Sequence, residues 1–452
     1  MEERRHAEFE EVRSLIEARD SAGLAKALRD LASADIADLI DVLPADAGSF
    51  LLSSLETQAA GEALAEVSDH PREDVLEELS TEQIAELIED LPGDDVADIL
   101  GDVAPEHLGE VLADLDDEDR EEVTQLLSYG EDTAGGIMTM EVVTVSSEMT
   151  AAAVIAELRS EEEIRDDVFA IYVVDQSGRL SGWLGLARLV TAAPEVLVRD
   201  ILEESVVSCT VHTDQEQVAF LMARYNLVTI PVVDDEERVV GRVTFDDVID
   251  VIEQETTEDI LRMAGSSTKE ISERSALRVV GIRLPWVVVG LLGGLASGFV
   301  MSRFEAVFVH VLGIIFFLPA VVALGGNVGI QSATVVIRGL TTGDFTVVGA
   351  IRPILKEIRV GLAIGVVCGL IAGSCAYAWL GDPAIGWIVG LAMAATATMA
   401  AIAGGGLPFL LDRAGIDPAV ATGPFITTAV DVLGILLYFS LASWLLQAFA
   451  VA

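Results

Sequence analysis

The chain has few positive charges and few residues that bind soft metals or form disulfides. Its 452 residues contain 27 Lys+Arg against 74 Asp+Glu, and only three of the bases are lysines. Such an acidic chain repels nucleic acid, because phosphate groups would meet like charge. The three cysteines have no metal-ligand spacing and indicate no disulfide framework. The five histidines are scattered without a His-Glu-x-x-His motif, which argues against a membrane metalloprotease.

The acidity is confined to the N-terminal part of the chain. From Ala276 onward there are 8 Lys+Arg and 7 Asp+Glu, so the first 275 residues hold the other 19 bases and 67 acids. Halophilic adaptation explains such an excess and fits the scarcity of lysine. Clustered carboxylates that bind hard divalent cations are the competing explanation. The N-terminus lacks the apolar segment of a secretory signal, and we expect no cleaved leader.

The C-terminal part predicts five membrane spans. A bilayer core requires about 20 apolar residues per helix. The two longest runs exceed that length, and we expect them to include loop or re-entrant backbone. The uncharged runs are 284–302, 306–337, 360–381, 383–411 and, interrupted by one acid, 418–452.

The distribution of bases predicts the orientation. Four bases lie between the second and third spans, whereas the loops assigned to the outside carry little charge, with Arg303 and Asp382 among it. The positive-inside rule therefore places the N-terminus in the cytosol and, with five spans, the C-terminus outside.

Asp431 is the interrupting acid. A carboxylate within an apolar span costs about 2.5–3.5 kcal/mol on insertion scales and indicates an ion path. Helical spacing puts small, polar or helix-breaking residues on its face, namely Val420, Pro424, Thr427, Gly434 and Tyr438. The second span carries a complementary polar stripe of Asn327, Gln331, Thr334 and Arg338. Carboxylate, amide and backbone oxygens suit Mg²⁺, although they discriminate poorly among hard ions.

The first 130 residues contain an internal repeat. Residues 36–67 recur at 84–115, as in Ile36-Ala-Asp-Leu-Ile-Asp-Val-Leu-Pro44 and Ile84-Ala-Glu-Leu-Ile-Glu-Asp-Leu-Pro92. Apolar residues at helical spacing between Pro and Asp-rich turns predict a superhelical array of short helices. Such an array is typical of an interaction or sensing scaffold.

Two β-turn-β units follow the repeat. They are 168–185 and 227–246, and the second reads Leu227-Val-Thr-Ile-Pro-Val-Val-Asp234 before Arg238-Val-Val-Gly-Arg-Val-Thr-Phe-Asp246. The pair resembles a tandem CBS module, a regulatory fold that dimerises and often binds adenosine ligands.

A run of seven acids without a base closes the soluble part, from Asp246 to Asp259. On a helix, Asp247 neighbours Asp250, and Glu255 neighbours Glu258 and Asp259, so the helix gains stability from bound cations. A solvated halophilic face is the alternative interpretation. The position before the first span predicts a coupling role, with Ser266-Ser267-Thr268 as the linker.

The order of these parts resembles the MgtE magnesium transporter family over essentially the whole chain. The motifs that carry the resemblance are Asp132-Thr-Ala-Gly-Gly136, Asp214-Gln-Glu216, Phe245-Asp-Asp-Val-Ile-Asp250 to Glu258-Asp-Ile260, Gly325-Gly-Asn327 with Gln331-Ser-Ala-Thr334, and Asp417-Pro-Ala to Asp431. The expected fold is an α-helical superhelical N domain (1–130), α/β tandem CBS domains (131–253), a connecting plug helix (246–266) and a five-span α-helical membrane domain (276–452).

The resemblance implies a homodimeric Mg²⁺ channel in the cell membrane that closes when cytosolic magnesium is ample. It implies a pore lined by the second and fifth spans, with Asp431, Asn327 and Gln331 as ion-binding residues. An adenosine ligand such as ATP is implied at the CBS domains. The implied cytosolic Mg²⁺ sensors are Asp94, Asp95, Gly136, Glu216, Asp247, Asp250, Glu255, Glu258, Asp259 and Asp417.

Two positions depart from the family pattern. Asn226 stands where the family often has a carboxylate, and Ile330 replaces the Asn of the "GGN-x-GNQ" pattern. Three other functions stay open on the sequence: a channel for Mn²⁺ or Co²⁺, a CBS-regulated membrane enzyme, and a nucleotide-sensing receptor. The last leaves Asp431 unexplained.

Overall fold

The computed structural model describes residues 2–160, 168–273, 275–305, 312–345 and 349–451. The chain divides into two compact units, Met1–Ile252 and Glu253–Ala452.

The first unit begins with ten short helices. Helices α3, α4 and α5 begin 48 residues before α7, α8 and α9, which confirms the helical repeat. Each helix buries one apolar face, and Leu24, Ile40, Leu64 and Ile88 are completely or almost completely buried. Helices this short are stable only when stacked on their neighbours. Their bounds are α1 Glu2–Glu17, α2 Ser21–Leu28, α3 Ser33–Asp41, α4 Ala45–Leu52, α5 Thr57–Ala65, α6 Asp69–Glu77, α7 Thr81–Ile88, α8 Gly93–Gly101, α9 Pro105–Asp114 and α10 Asp117–Leu126.

Two three-stranded sheets follow, one in each CBS copy. In both sheets the first strand pairs parallel and the last pairs antiparallel to the middle strand, which confirms the two β-turn-β units. The first copy contains β1 Thr144–Ser146, α11 Ala151–Ser160, β2 Ala170–Val174, β3 Leu180–Gly185 and α12 Leu186–Thr191. The second contains β4 Cys209–Thr210, α13 Gln215–Tyr225, β5 Thr229–Val233 and β6 Val239–Thr244.

The two hairpin turns use the same chemistry and touch each other. Asp175 accepts hydrogen bonds from the backbone N–H groups of Ser177 and Arg179, and Asp234 does the same two and four residues downstream. The Leu180 N–H also donates to the Glu237 carbonyl at 3.1 Å. These contacts hold the two CBS copies together at their hairpins.

A single acidic helix, α14 Phe245–Met263, crosses the boundary between the two units. Its 19 residues make it about 28 Å long. It ends at Met263, two residues before Gly265, whose φ of +76° belongs to the left-handed region that glycine adopts freely. The short helix α15 Lys269–Ser272 follows.

Among its described residues, the second unit contains five helices long and apolar enough to cross a membrane, in agreement with the prediction. They are α16 Ala276–Ser302, α17 Leu318–Thr341 (preceded by a 3₁₀ segment, Leu312–Phe317), α18 Ile351–Leu380, α19 Pro383–Arg413 and α20 Thr427–Val451.

Glycine rows bring these helices into backbone contact. On α18, glycines recur every four residues, and the Cβ positions of Gly369 and Gly373 lie 2.4 and 2.6 Å from carbonyl oxygens of Gly390 and Gly386 on α19. On the other side of α19, the Cβ position of Gly404 lies 2.2 Å from the Gly329 carbonyl oxygen of α17. Small residues allow such close approach between membrane helices.

The prediction of loop backbone within 383–411 was wrong. Helix α19 is continuous through its glycines and through Pro408. Residues 306–311 lie outside the described residues, and the rest of the 306–337 run is the 3₁₀ segment and α17. Proline and glycine are tolerated inside membrane helices because neighbouring helices compensate for the lost backbone bonds.

Candidate divalent-cation sites

The first carboxylate group lies in the first compact unit, where α8 approaches the start of α14. Burial and the neighbouring Asp95 raise the pKa of Asp94 to about 7, and its buried Oδ1 has no hydrogen-bond partner in the described part of the chain. Burial and the charge of Asp94 raise the pKa of Asp247 to about 7. The Thr244 hydroxyl donates to Asp247 Oδ2 at 2.5 Å, which orients this carboxylate. Two acids distant in sequence are thus held close together.

Other carboxylates extend this group. Burial and Asp247 raise the pKa of Asp95 to about 6. Burial, Asp250 and Asp246 raise the pKa of Glu66. Asp94, Asp95, Asp247 and Asp250, each predicted as a sensor residue, therefore belong to one electrostatic group, and Glu66 is a member that the sequence analysis missed.

Arg72 is the basic residue beside this group. It is 7% exposed, and its Nε donates to Asp102 Oδ2 at 2.6 Å. Burial raises the pKa of Asp98 to about 6, and the positive charge of Arg72 opposes this shift. Neither Arg72 nor Asp98 stood out in the sequence, because each is one charge among many in the repeat.

The structure places two predicted sensor residues elsewhere in the CBS pair. Glu216 is exposed in the first turn of α13, and its backbone N–H is capped by Asp214. Gly136 lies in the turn after the helical domain, where a Cβ would be 2.4 Å from the Gly130 carbonyl oxygen. Asn226 ends α13 with a φ of +53°, a conformation that Asn adopts more readily than most residues.

The second carboxylate group lies in the other unit, at the end of α14. Burial, Asp417 and Glu255 raise the pKa of Asp259 to about 6. Arg262 forms ion pairs with Glu258 and, at 2.5 Å, with Asp417. The structure therefore brings all four predicted residues together, Glu255, Glu258, Asp259 and Asp417, and adds a base that was not predicted.

The third predicted group is in the membrane helices. Asn327 and Gln331 are exposed on α17, as are Thr334 and Arg338, so the predicted polar stripe is one uninterrupted helical face. Asp431 is partly buried on α20 and forms no hydrogen bond or ion pair with the described residues. Helix α17 packs on α20 next to these side chains, through Gly325 against Val430.

The predicted composition of the Asp431 face was partly wrong. Val420 is not on its helix, because the chain forms a 3₁₀ turn at Pro418–Ala421 and a non-helical break at Gly423. Pro424 lies after the break in a π-helical segment, Thr422–Ile426, which does not keep α-helical spacing. Tyr438 is buried, and its hydroxyl donates to the Ile314 carbonyl oxygen at 3.0 Å. Thr427 remains one turn before Asp431 on the same helix.

All three groups offer oxygen donors, the ligand type that hard cations such as Mg²⁺ prefer. Among the residues described here, no three His, Cys, Asp or Glu side chains converge closely enough to hold a metal by themselves.

These features define a multi-pass membrane protein with a helical domain and a CBS pair. The family model "Divalent cation transporter" matches residues 318–441, "MgtE intracellular N domain" matches 31–132, and "CBS domain" matches 134–195 and 198–254. The chain belongs to the MgtE magnesium transporter family.

Two relatives are named magnesium transporter MgtE. The one from Thermus thermophilus is 40% identical over 72% of this chain and 72% of its own length. The one from Enterococcus faecalis is 35% identical over the same shares. A solved structure, the cytosolic domain of the Mg²⁺ channel MgtE in complex with ATP, is 36% identical, with a TM-score of 0.50 over 54% of this chain and 99% of that domain.

Proposed function

We propose that the chain is a Mg²⁺-selective channel that admits magnesium to the cytosol and closes when cytosolic Mg²⁺ binds its acidic groups. The observation that carries the permeation step is Asp431, a carboxylate in an apolar helix without a partner among the described side chains. A carboxylate in that position is costly unless an ion or water accompanies it.

A second copy of the chain completes the pore in this proposal. The polar stripe of α17 is exposed although it belongs to a candidate membrane span. Polar side chains in a membrane face a bundle interior or a water-filled path rather than lipid. A homodimer that brings two such faces together provides that path, with Asn327 and Gln331 beside Asp431.

The gate uses the carboxylates of the soluble parts. Mg²⁺ binding at Asp94, Asp95, Asp247 and Asp250 offsets repulsion within that group, and binding at Glu255, Glu258, Asp259 and Asp417 does the same at the end of α14. Glu216 and Gly136 are assigned to the sensor by family resemblance. ATP binding at the CBS pair is proposed from the ATP complex of the related cytosolic domain. The positive-inside pattern assigns the N-terminus to the cytosol and the C-terminus to the outside.

Flux into liposomes tests permeation. The Asp431→Asn variant is expected to lower Mg²⁺ flux about tenfold or more, which corresponds to about 1.4 kcal/mol. Asp382→Asn is the matched control, because Asp382 lies outside the spans and caps α19 through its oxygen, a bond that Asn retains. Undiminished flux in Asp431→Asn rules out the pore assignment. Mn²⁺ and Co²⁺ in the same assay test the alternative of a less selective divalent channel.

Limited proteolysis of 246–275 tests the gate. Mg²⁺ is expected to protect this segment in the unaltered chain, and the double variant Asp247→Ala with Asp250→Ala is expected to lose that protection. If the protection curve of the double variant is unchanged, the sensing role is rejected and halophilic adaptation explains the acidic residues.

A further inference from the structure

Of the residues that the structure describes, Arg262 is the one base within the carboxylate group at the end of α14. Its guanidinium pairs with Glu258 on its own helix and with Asp417, which follows α19. Burial and the charges of Asp417 and Glu255 raise the pKa of nearby Asp259 to about 6, whereas the charge of Arg262 opposes that shift. A single fixed cation therefore offsets part of the repulsion among four acids.

Asp417 connects Arg262 to the segment that precedes Asp431. While its Oδ2 accepts from Arg262 Nη1 at 2.5 Å, its Oδ1 accepts from the Ala419 backbone N–H at 2.7 Å. The second bond fixes the 3₁₀ turn Pro418–Ala421, which leads directly to the break at Gly423. The position of the arginine is thus coupled to the start of α20.

Backbone contacts reinforce this connection. The Cβ position of Gly423 lies 2.9 Å from the Met263 carbonyl oxygen, and that of Gly265 lies 3.5 Å from Pro424 and from Trp286. The end of α14 therefore rests on the segment between α19 and α20. The Arg262–Asp417 ion pair is the charged contact at this junction.

We propose that Arg262 is a tethered cation that holds the end of α14 on the pre-α20 segment without metal and competes with a divalent cation for Asp417 and Glu258. The proposal rests on the proposed function only in its divalent-binding part. Arg262 is a positioning residue here, since it acts through carboxylates rather than on the permeating ion. When a divalent cation displaces the guanidinium from Asp417 and Glu258, the cation holds the same two carboxylates together. Arg262 therefore sets the divalent-cation concentration at which this replacement occurs.

Hydrogen exchange of residues 255–275 in the full chain, in detergent with EDTA, tests the tether. Arg262→Gln is expected to increase exchange there severalfold, and Arg262→Lys, which keeps the charge, is expected to retain most of the protection. Arg413→Gln is the matched control, because Arg413 is exposed at the end of α19 and loses the same charge. Equal exchange in EDTA for Arg262→Gln and the unaltered chain overturns the tether.

A Mg²⁺ titration of the same peptides tests the competition. Removal of one positive charge from the group is expected to lower the half-maximal Mg²⁺ concentration of Arg262→Gln about three- to tenfold. Asp417→Asn breaks the same ion pair from the other side, and its half-maximal concentration is expected to rise. A midpoint that stays constant or rises in Arg262→Gln overturns the competition.

The two experiments separate this inference from the proposed gate. If the unaltered chain shows no Mg²⁺-dependent protection, the gate and the competition both fail, and the EDTA comparison still decides whether Arg262 tethers α14. If the unaltered chain responds to Mg²⁺, and Arg262→Gln matches the unaltered chain both in EDTA and in Mg²⁺, the inference fails and the proposed gate stands.

Discussion

Asp94 on α8 acts electrostatically on Asp247 on α14, although most of the CBS pair lies between them in sequence. Burial, with Asp94 as the largest charge contribution, raises the pKa of Asp247 to about 7. The Thr244 hydroxyl fixes the orientation of Asp247. The two carboxylates therefore repel each other when both are ionised.

The Asp247→Asn substitution is expected to tighten the α8–α14 contact in EDTA. Asn keeps an oxygen to accept from Thr244 and removes the repulsion with Asp94, so protection of 93–101 from hydrogen exchange rises by about 1–3 kcal/mol. The variant also responds less to Mg²⁺, since a charge that the ion would neutralise is gone. Asp235→Asn, in the exposed hairpin turn, is the control. Increased exchange in Asp247→Asn contradicts the repulsion.

Acidification is expected to tighten the same contact when divalent ions are absent. Asp94 and Asp247 have pKa values of about 7 in the folded chain, above the usual 3.8. The folded state therefore binds more protons, and its stability falls as pH rises from about 4 to 7. Exchange of 93–101, corrected for intrinsic rates, is expected to be slower at pH 5.5 than at pH 8 in EDTA. Protons and Mg²⁺ compete, so the half-maximal Mg²⁺ concentration is higher at pH 6 than at pH 7.5.

The hairpin segment 170–185 is the internal reference for the pH series, because its backbone is fixed by strand pairing. A contact that loosens on acidification contradicts the assigned pKa directions.

Two neighbouring glycines on α19 are expected to differ in their tolerance of alanine. A Cβ at Gly404 would lie 2.2 Å from the Gly329 carbonyl oxygen, whereas a Cβ at Gly406 meets nothing within 4 Å. Gly404→Ala forces α17 and α19 apart and is expected to lower the melting temperature and the Mg²⁺ flux. Gly406→Ala, the same chemical change two residues away, is expected to do neither. Equal melting temperatures for the two variants contradict the close contact.

Substitutions at Asn226 are expected to separate backbone strain from charge. Its φ of +53° is tolerated by Asn and Asp better than by Ala, so Asn226→Ala costs about 1 kcal/mol of stability. Asn226→Asp costs less and adds a carboxylate where the family often has one, which is expected to lower the Mg²⁺ concentration needed for protection. Thermal melting with and without Mg²⁺ measures both effects. Similar melting temperatures for the Ala and Asp variants contradict the strain argument.

The sequence predicted features whose signal is periodic. The helical repeat, the two CBS hairpins and the five spans each follow from the spacing of apolar residues, and the structure has all of them. Asn327 and Gln331 were placed on one face because α17 is a regular helix.

Features that depend on a break or on a distant neighbour were not predicted. The helical face assigned to Asp431 assumed a regular helix, which Gly423 interrupts. Arg262 and Glu66 gain their roles from residues far along the chain, and no local pattern reports such contacts. Glu357 on α18 is a further example. It is 6% exposed and packs against Gly405, although the charged residues around it on α18 face outward.

The backbone contacts between α18 and α19 determine which parts of the membrane unit can move. Helices that meet at Gly365, Gly369 and Gly373 leave no side-chain layer that could repack, so the pair rotates as one rigid body. In the proposed channel, a change of pore width then falls to the segment between α19 and α20, where the helix is interrupted at Pro418–Ala421 and at Gly423. In that proposal α18 and α19 are a rigid support, against which α20 with Asp431 changes its angle.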